Sequence, residues 1–185
     1  MRPLTLLLGL LAALYPLAVY LGLSYWSAQA VVPVLLALFS LRWILGRSSP
    51  GPQHTSSWVA AAGVGLMLVA LVLNTDLPLR VYPVVVNATL LALFGYSLWR
   101  GPSVAERIAR LTQPDLPAEG VRYCRQVTLC WCLFFLLNGS LALYTSLWAS
   151  LELWTLYNGL IAYLLIGTLA GAEWLYRRRR LGSHQ

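Results

Sequence analysis

The chain contains no lysine, and acids are few, at 6. Only 10% of its 185 residues are charged. A soluble domain carries about a quarter charged residues, so this composition excludes a soluble globular protein and a disordered tail. Two His and 3 Cys leave little from which to build metal sites or a disulfide scaffold. Cys124, Cys130 and Cys132 have no His or acid at ligand spacing. Cys130 and Cys132 stand about 200° apart around a helix and read as small apolar residues. His54 falls in a linker and His184 in the tail. Ser-His-Asp, HExxH, P-loop and Rossmann patterns are absent. The expectation is therefore no catalytic residue, no cofactor, no metal and no enzyme.

What remains is apolar, at 59% of the chain. A bilayer core of about 30 Å needs about 20 apolar residues in helical form. Backbone polar groups cannot stay open in lipid, and long runs without period-2 alternation argue against a barrel. Six runs qualify, at 4–23, 28–45, 57–73, 82–98, 127–147 and 153–176. The expected fold is an all-α polytopic bundle, three hairpins forming a single transmembrane domain over 1–185. Ala28-Gln29-Ala30 resembles a signal-peptidase site, but the apolar stretch before it is too long for a typical h-region. The first span is expected to stay.

Arginine sets the orientation. With six spans, Arg2, Arg42, Arg47, Arg100, Arg107, Arg110, Arg122, Arg125 and Arg177 to Arg180 gather on one side, and Arg80 stands alone on the other. Cytoplasmic loops carry the positive charge, so both termini are expected in the cytoplasm of a bacterial inner membrane. Tyr25, Trp26, Tyr82, Trp148 and Trp154 then mark the outer ends. Trp43, Trp58, Trp99, Tyr123, Trp174 and Tyr176 mark the inner ends. Both sets read as headgroup anchors. The four terminal Arg are expected to contact anionic lipid. Nucleic acid is not an expected partner, because no stacking platform or folded module accompanies the charge.

One connection has a pattern of its own. Ser103 can cap a helix, and Glu106, three positions on, can reach back to the cap amide. Val104, Ile108 and Leu111 recur at helical spacing, with Arg107 and Arg110 on the polar side. The pattern predicts a short amphipathic interfacial helix over 103–112, ended by Pro114 and Pro117. It serves either as a connector fixing two hairpins or as a docking face. Glu106, Arg107, Arg110, Arg122 and Arg125 would then meet a cytosolic partner or a lipid head.

Polar residues within spans are the other candidates. Asn87 and Asn158 each lie five residues in from an outer end, roughly 7–8 Å deep at helical rise, and Asn138 lies nearer the centre. They read as interhelical hydrogen bonds or as the polar lining of an outward-facing ligand or lipid pocket. Gly167 and Gly171 form a small-xxx-small pattern, which suggests a close helix neighbour within the chain or in a homo-oligomer. Glu173 stands one turn from Arg177 and can pair with it.

From Tyr82 onward the chain resembles a bacterial family of uncharacterised inner-membrane proteins. Tyr82-Pro83-Val84-Val85-Val86-Asn87, Phe94-Gly95-Tyr96-Ser97-Leu98 and Pro102-Ser103-Val104-Ala105-Glu106-Arg107-Ile108-Ala109-Arg110 carry the resemblance. Leu116-Pro117, Gly120-Val121-Arg122-Tyr123, Asn138-Gly139 and Trp154-Thr155-Leu156-Tyr157-Asn158-Gly159 continue it. About half of the chain is covered, and the first two spans match only as apolar helices. Such proteins tend to be encoded beside fatty-acid-synthase-like enzymes, including those of aryl polyene pigments. The name ketosynthase is sometimes attached to them, yet this sequence has no condensing domain and no nucleophilic Cys with a paired His. The resemblance implies a membrane component of a lipid or polyene assembly line. Two functions follow as expectations: a non-catalytic scaffold that recruits cytosolic biosynthetic enzymes, or a small carrier or flippase for a lipid-like product.

Overall fold

The computed structural model describes residues 15–25, 28–47, 54–73 and 75–182. Among them every regular element is a helix. In chain order these are α1 (Tyr15–Tyr25), α2 (Ala28–Arg47), α3 (His54–Leu73), α4 (Leu77–Trp99), α5 (Val104–Arg110), α6 (Ala118–Trp148) and α7 (Leu151–Leu156). A π turn, Tyr157–Ile161, then leads into α8 (Ala162–Gly182).

Three stretches are long and apolar enough to cross a membrane: α4, α6 and the continuous run Leu151–Arg179. The composition predicts six. Three spans, not six, are therefore supported: 4–23 lies partly, and Arg2, Trp26 and His184 lie wholly, outside the described residues, and 28–45 and 57–73 fall on α2 and α3, which are not among the three. The backbone is helical through α2 and α3, each 20 residues long. His54 begins α3 instead of lying in a linker.

The helices extend further than their apolar cores. α4 starts at Leu77, ahead of the expected 82, because Pro78 falls in its first turn, where a missing N–H costs nothing. α6 starts at Ala118, just after Pro117, and takes up 118–126, expected as loop. Apolar runs mark where lipid begins, whereas a helix stops only where its backbone is capped or broken. α5 is shorter than the expected 103–112, since its last turn closes at Leu111.

α4 and α6 make the most extensive helix contact, followed by α2 with α3 and α3 with α4. Gly139 explains part of the first. A Cβ there would stand 3.0 Å from the Asn87 Cβ, tighter than an ordinary contact, so glycine favours the close approach of the two helices.

Pro83 lies inside α4 and removes the N–H that would bond the Leu79 carbonyl four residues back. The Tyr15 hydroxyl supplies the missing donor, at 2.8 Å from the Leu79 oxygen. Tyr15 also packs its ring 4.6 Å from that of Tyr82. α1 is thus tied to α4 at the point where α4 is weakest. Tyr15→Phe keeps the ring and deletes the donor. It is expected to cost about 1 kcal/mol, in line with interhelical hydrogen bonds in membrane bundles, read as a lowered unfolding midpoint in detergent.

A second junction joins α4, α6 and α7 at the end away from the Arg clusters. Among the described residues Trp154 is the largest fully buried side chain, at 0% exposure, and its Nε1 donates to the Arg80 carbonyl at 3.0 Å. Ser146 Oγ donates to the same carbonyl at 2.7 Å. The Arg80 guanidinium reaches the other way and donates to the carbonyls of Thr145 (3.0 Å) and Ala149 (2.6 Å). It therefore closes the C-terminus of α6, where unpaired carbonyls concentrate partial negative charge.

This corrects two expected headgroup anchors. Tyr82 and Trp154 are buried among helices, while Tyr25 and Trp148 are exposed. An aromatic ring near a helix end fits either place, and only packing decides which.

Candidate functional site

The three intramembrane asparagines do not form one layer. Asn138 Nδ2 donates to Asn87 Oδ1 at 3.0 Å, and the Tyr157 hydroxyl donates to Asn138 Oδ1 at 2.9 Å. Asn87 Nδ2 turns back to the Pro83 carbonyl at 2.8 Å. Asn158 lies in a separate group, donating to Thr145 Oγ1 (3.2 Å) and to the Trp154 carbonyl (2.9 Å). The sequence count pairs Asn87 with Asn158 by depth; the structure pairs Asn87 with Asn138. The π turn helps explain this. An extra residue in one turn widens the helix, and neighbouring Tyr157 and Asn158 are both buried on its inner side. All three asparagines are buried and hydrogen-bonded, and none of them lines the large open space found among the described residues.

That space lies elsewhere, beside α5. The first three N–H groups of α5 each receive a hydroxyl oxygen. Val104 N–H donates to Ser97 Oγ of α4 at 3.1 Å, and Ala105 N–H donates to Thr128 Oγ1 of α6 at 3.3 Å. Glu106 N–H donates to Ser103 Oγ at 3.3 Å. A helix of 7 residues is too short to persist alone in water. Here its unpaired donors are satisfied from three directions and tie it to both neighbours. Ser103 caps as the sequence predicts, but the Glu106 carboxylate accepts from Arg110 Nε (2.9 Å) and Nη2 (2.8 Å). Glu106 is buried, so its carboxylate serves α5 itself. Arg110 also holds the Pro114 carbonyl through Nη1, and Arg107 Nε holds the Pro102 carbonyl. Arg122 and Arg125, on α6, are exposed.

Pinned in this way, α5 and the segment after it wall off a cavity of about 670 Å³ against α4, α6 and the end of α8. Such a volume lies within the usual range of small-molecule sites, about 300–1,000 Å³. Leu90 and Phe94 of α4 line one side, and Val104, Ala105, Ile108 and Ala109 of α5 another. Along α6 the lining runs from Glu119 through Tyr123, Cys124, Val127 and Trp131 to Phe135, roughly 24 Å at helical rise. The deep end is aromatic. Phe94 and Phe135 meet edge-on at 5.1 Å, and Trp131 lies 5.7 Å from Phe135.

Polar groups gather at the opposite end. Glu173 Oε1 accepts from the Tyr123 hydroxyl at 3.2 Å and faces Arg177 Nε at 3.5 Å. The pairing of Glu173 with Arg177 expected from their spacing is thus present. Its place on a cavity wall comes from the fold. The arrangement offers a long apolar slot with a polar mouth. Among the described residues no group of three or more His, Cys, Asp or Glu is placed to hold a metal ion.

Sequence reasoning missed most of this lining. Sequence alone gives Phe94, Ser97, Thr128, Trp131 and Phe135 no site role, only a place in or beside apolar runs. A serine and a threonine near the ends of two apolar runs, flanking a capped short helix, are the one signal that could have been read. Gly167 and Gly171 have nothing within 4 Å of a would-be Cβ, so among the described residues no close helix neighbour within the chain covers them. Comparison with protein-family models, with curated proteins and with solved structures finds no match to this chain.

Proposed function

We propose that this is a six-span bacterial inner-membrane protein with both termini in the cytoplasm. In this reading it is a non-catalytic accessory of a lipid- or polyene-type biosynthetic system. Its work is to hold a lipid-like chain beside the cytosolic enzymes that make or use it. The cavity carries the reading: an apolar slot whose charged lining residues, Glu119, Glu173 and Arg177, lie at the end where arginines gather. On the positive-inside rule that end faces the cytosol. Arg107, Arg122 and Arg125 are exposed in the mouth's surroundings and suit an acidic partner surface or anionic headgroups.

A carrier or flippase is the second reading. It needs a path past the deep end of the slot. Just beyond Phe135, Asn138 is bonded to both Asn87 and Tyr157, which joins α4, α6 and the π turn across that path. This contact favours holding over passage.

Ala109 lines the slot, and Ala109→Trp fills it. Native mass spectrometry of protein purified in a mild detergent should find a bound hydrocarbon-rich molecule on the wild type. Occupancy should fall at least about tenfold in the variant, which corresponds to about 1.4 kcal/mol of binding. Circular dichroism should be unchanged. Equal occupancy in both proteins, or an empty wild-type protein, would overturn the reading.

A further inference from the structure

Resting on that reading of the cavity, we propose its ligand class: a single-chain amphiphile with an acidic head, carboxylate or phosphate, whose head is held by Arg177. The slot's shape sets the tail. Its volume spread over roughly 24 Å of α6 leaves a cross-section of about 28 Å². That is room for a hydrocarbon chain lying along α6. The aromatic deep end marks where the tail terminates.

The mouth sets the head. Glu173 is already engaged, since a single oxygen takes both the Tyr123 hydroxyl and Arg177 Nε. Glu119, on the rim, is exposed in the first turn of α6, where the positive end of the helix dipole offsets its charge. Arg177 meets Glu173 through Nε alone. Its two terminal nitrogens have no protein partner among the described residues, and its side chain is 46% exposed at the mouth. A guanidinium held at one nitrogen, with two parallel donors left over, matches the two oxygens of a carboxylate or phosphate. Glu173 and Tyr123 act as positioning residues that fix the direction of this fork. Arg122, Arg125 and Arg179, all exposed, add positive potential on the adjoining turns of α6 and α8.

The test titrates the purified full chain with dodecanoate, dodecyl phosphate and dodecanol, followed by native mass spectrometry. Wild-type protein should bind one or both acids at least about tenfold more tightly than the alcohol. The tighter acid identifies the head. Arg177→Gln should abolish that preference and leave dodecanol binding unchanged, while Arg177→Lys, a point charge without the fork, should restore part of it. Arg178→Gln, whose guanidinium stands 5.3 Å over the Trp174 ring, should behave as wild type. An alcohol bound as tightly as the acids, or a preference that survives Arg177→Gln, would overturn the assignment of the head and leave the cavity standing. Failure of all three chains to bind wild-type protein would remove the cavity reading as well.

Discussion

Trp154→Ala is expected to be the most destabilising single substitution in the described chain, at about 3–5 kcal/mol. The side chain is fully buried where α4, α6 and α7 meet. Helix association within a membrane draws little on the hydrophobic effect and relies on close packing. A void of indole size therefore removes much of what holds this junction together. The variant also leaves the Arg80 carbonyl with one donor fewer, that of Trp154 Nε1. Trp154→Phe separates the two effects: it refills part of the volume and still lacks the donor, so it should fall between wild type and Ala. Unfolding in detergent, followed by the near-ultraviolet signal of the remaining tryptophans, gives the comparison. A Trp154→Ala protein as stable as wild type would mean that the ring is not packed as described.

Arg80→Ala comes second, at about 2–3 kcal/mol. Two charge-assisted hydrogen bonds end the 31-residue α6 at Thr145 and Ala149. Bonds of that kind contribute about 1.5–3 kcal/mol each before the cost of burying the donor. That cost is real here, because Arg80 Nε is buried without a partner, so the sum is discounted. Both bonds leave one nitrogen, Nη2, and an ammonium also carries several donors, so Arg80→Lys should recover part of the loss, limited by the shorter reach of lysine. The two substitutions share one residue: Trp154 bonds the Arg80 backbone, and the Arg80 side chain caps the helix beside it. Trp154→Ala and Arg80→Ala combined should therefore destabilise by less than the two separate losses added together. Strict additivity would show that the contacts act independently.

Arg80 illustrates what a sequence can and cannot say. It enters an inventory of charge as the arginine expected to stand alone on its side, because the inventory needs only its place along the chain. That it closes α6 depends on the residue 69 positions away that the fold brings to it. Asn138 is similar. Its cost in lipid flags it as a residue with a partner, but depth along a helix does not give rotation around it. Rotation, together with the π turn at Tyr157, joins it to Asn87 and leaves Asn158 with Thr145. Ser103 is the opposite case: its capping bond spans three residues and was legible for that reason.

Composition, apolar run length and the placement of thirteen arginines determined by themselves that the chain is helical and suited to a membrane. These properties are local: a helix satisfies its own backbone, and the solvent it requires follows from its side chains. The cavity was decided only by tertiary structure. It forms beside α5, whose start is fixed by Ser97 and Thr128, 31 residues apart on two helices. An empty volume has no residues of its own to be read, and it appears only when walls from distant parts of the chain stop short of meeting.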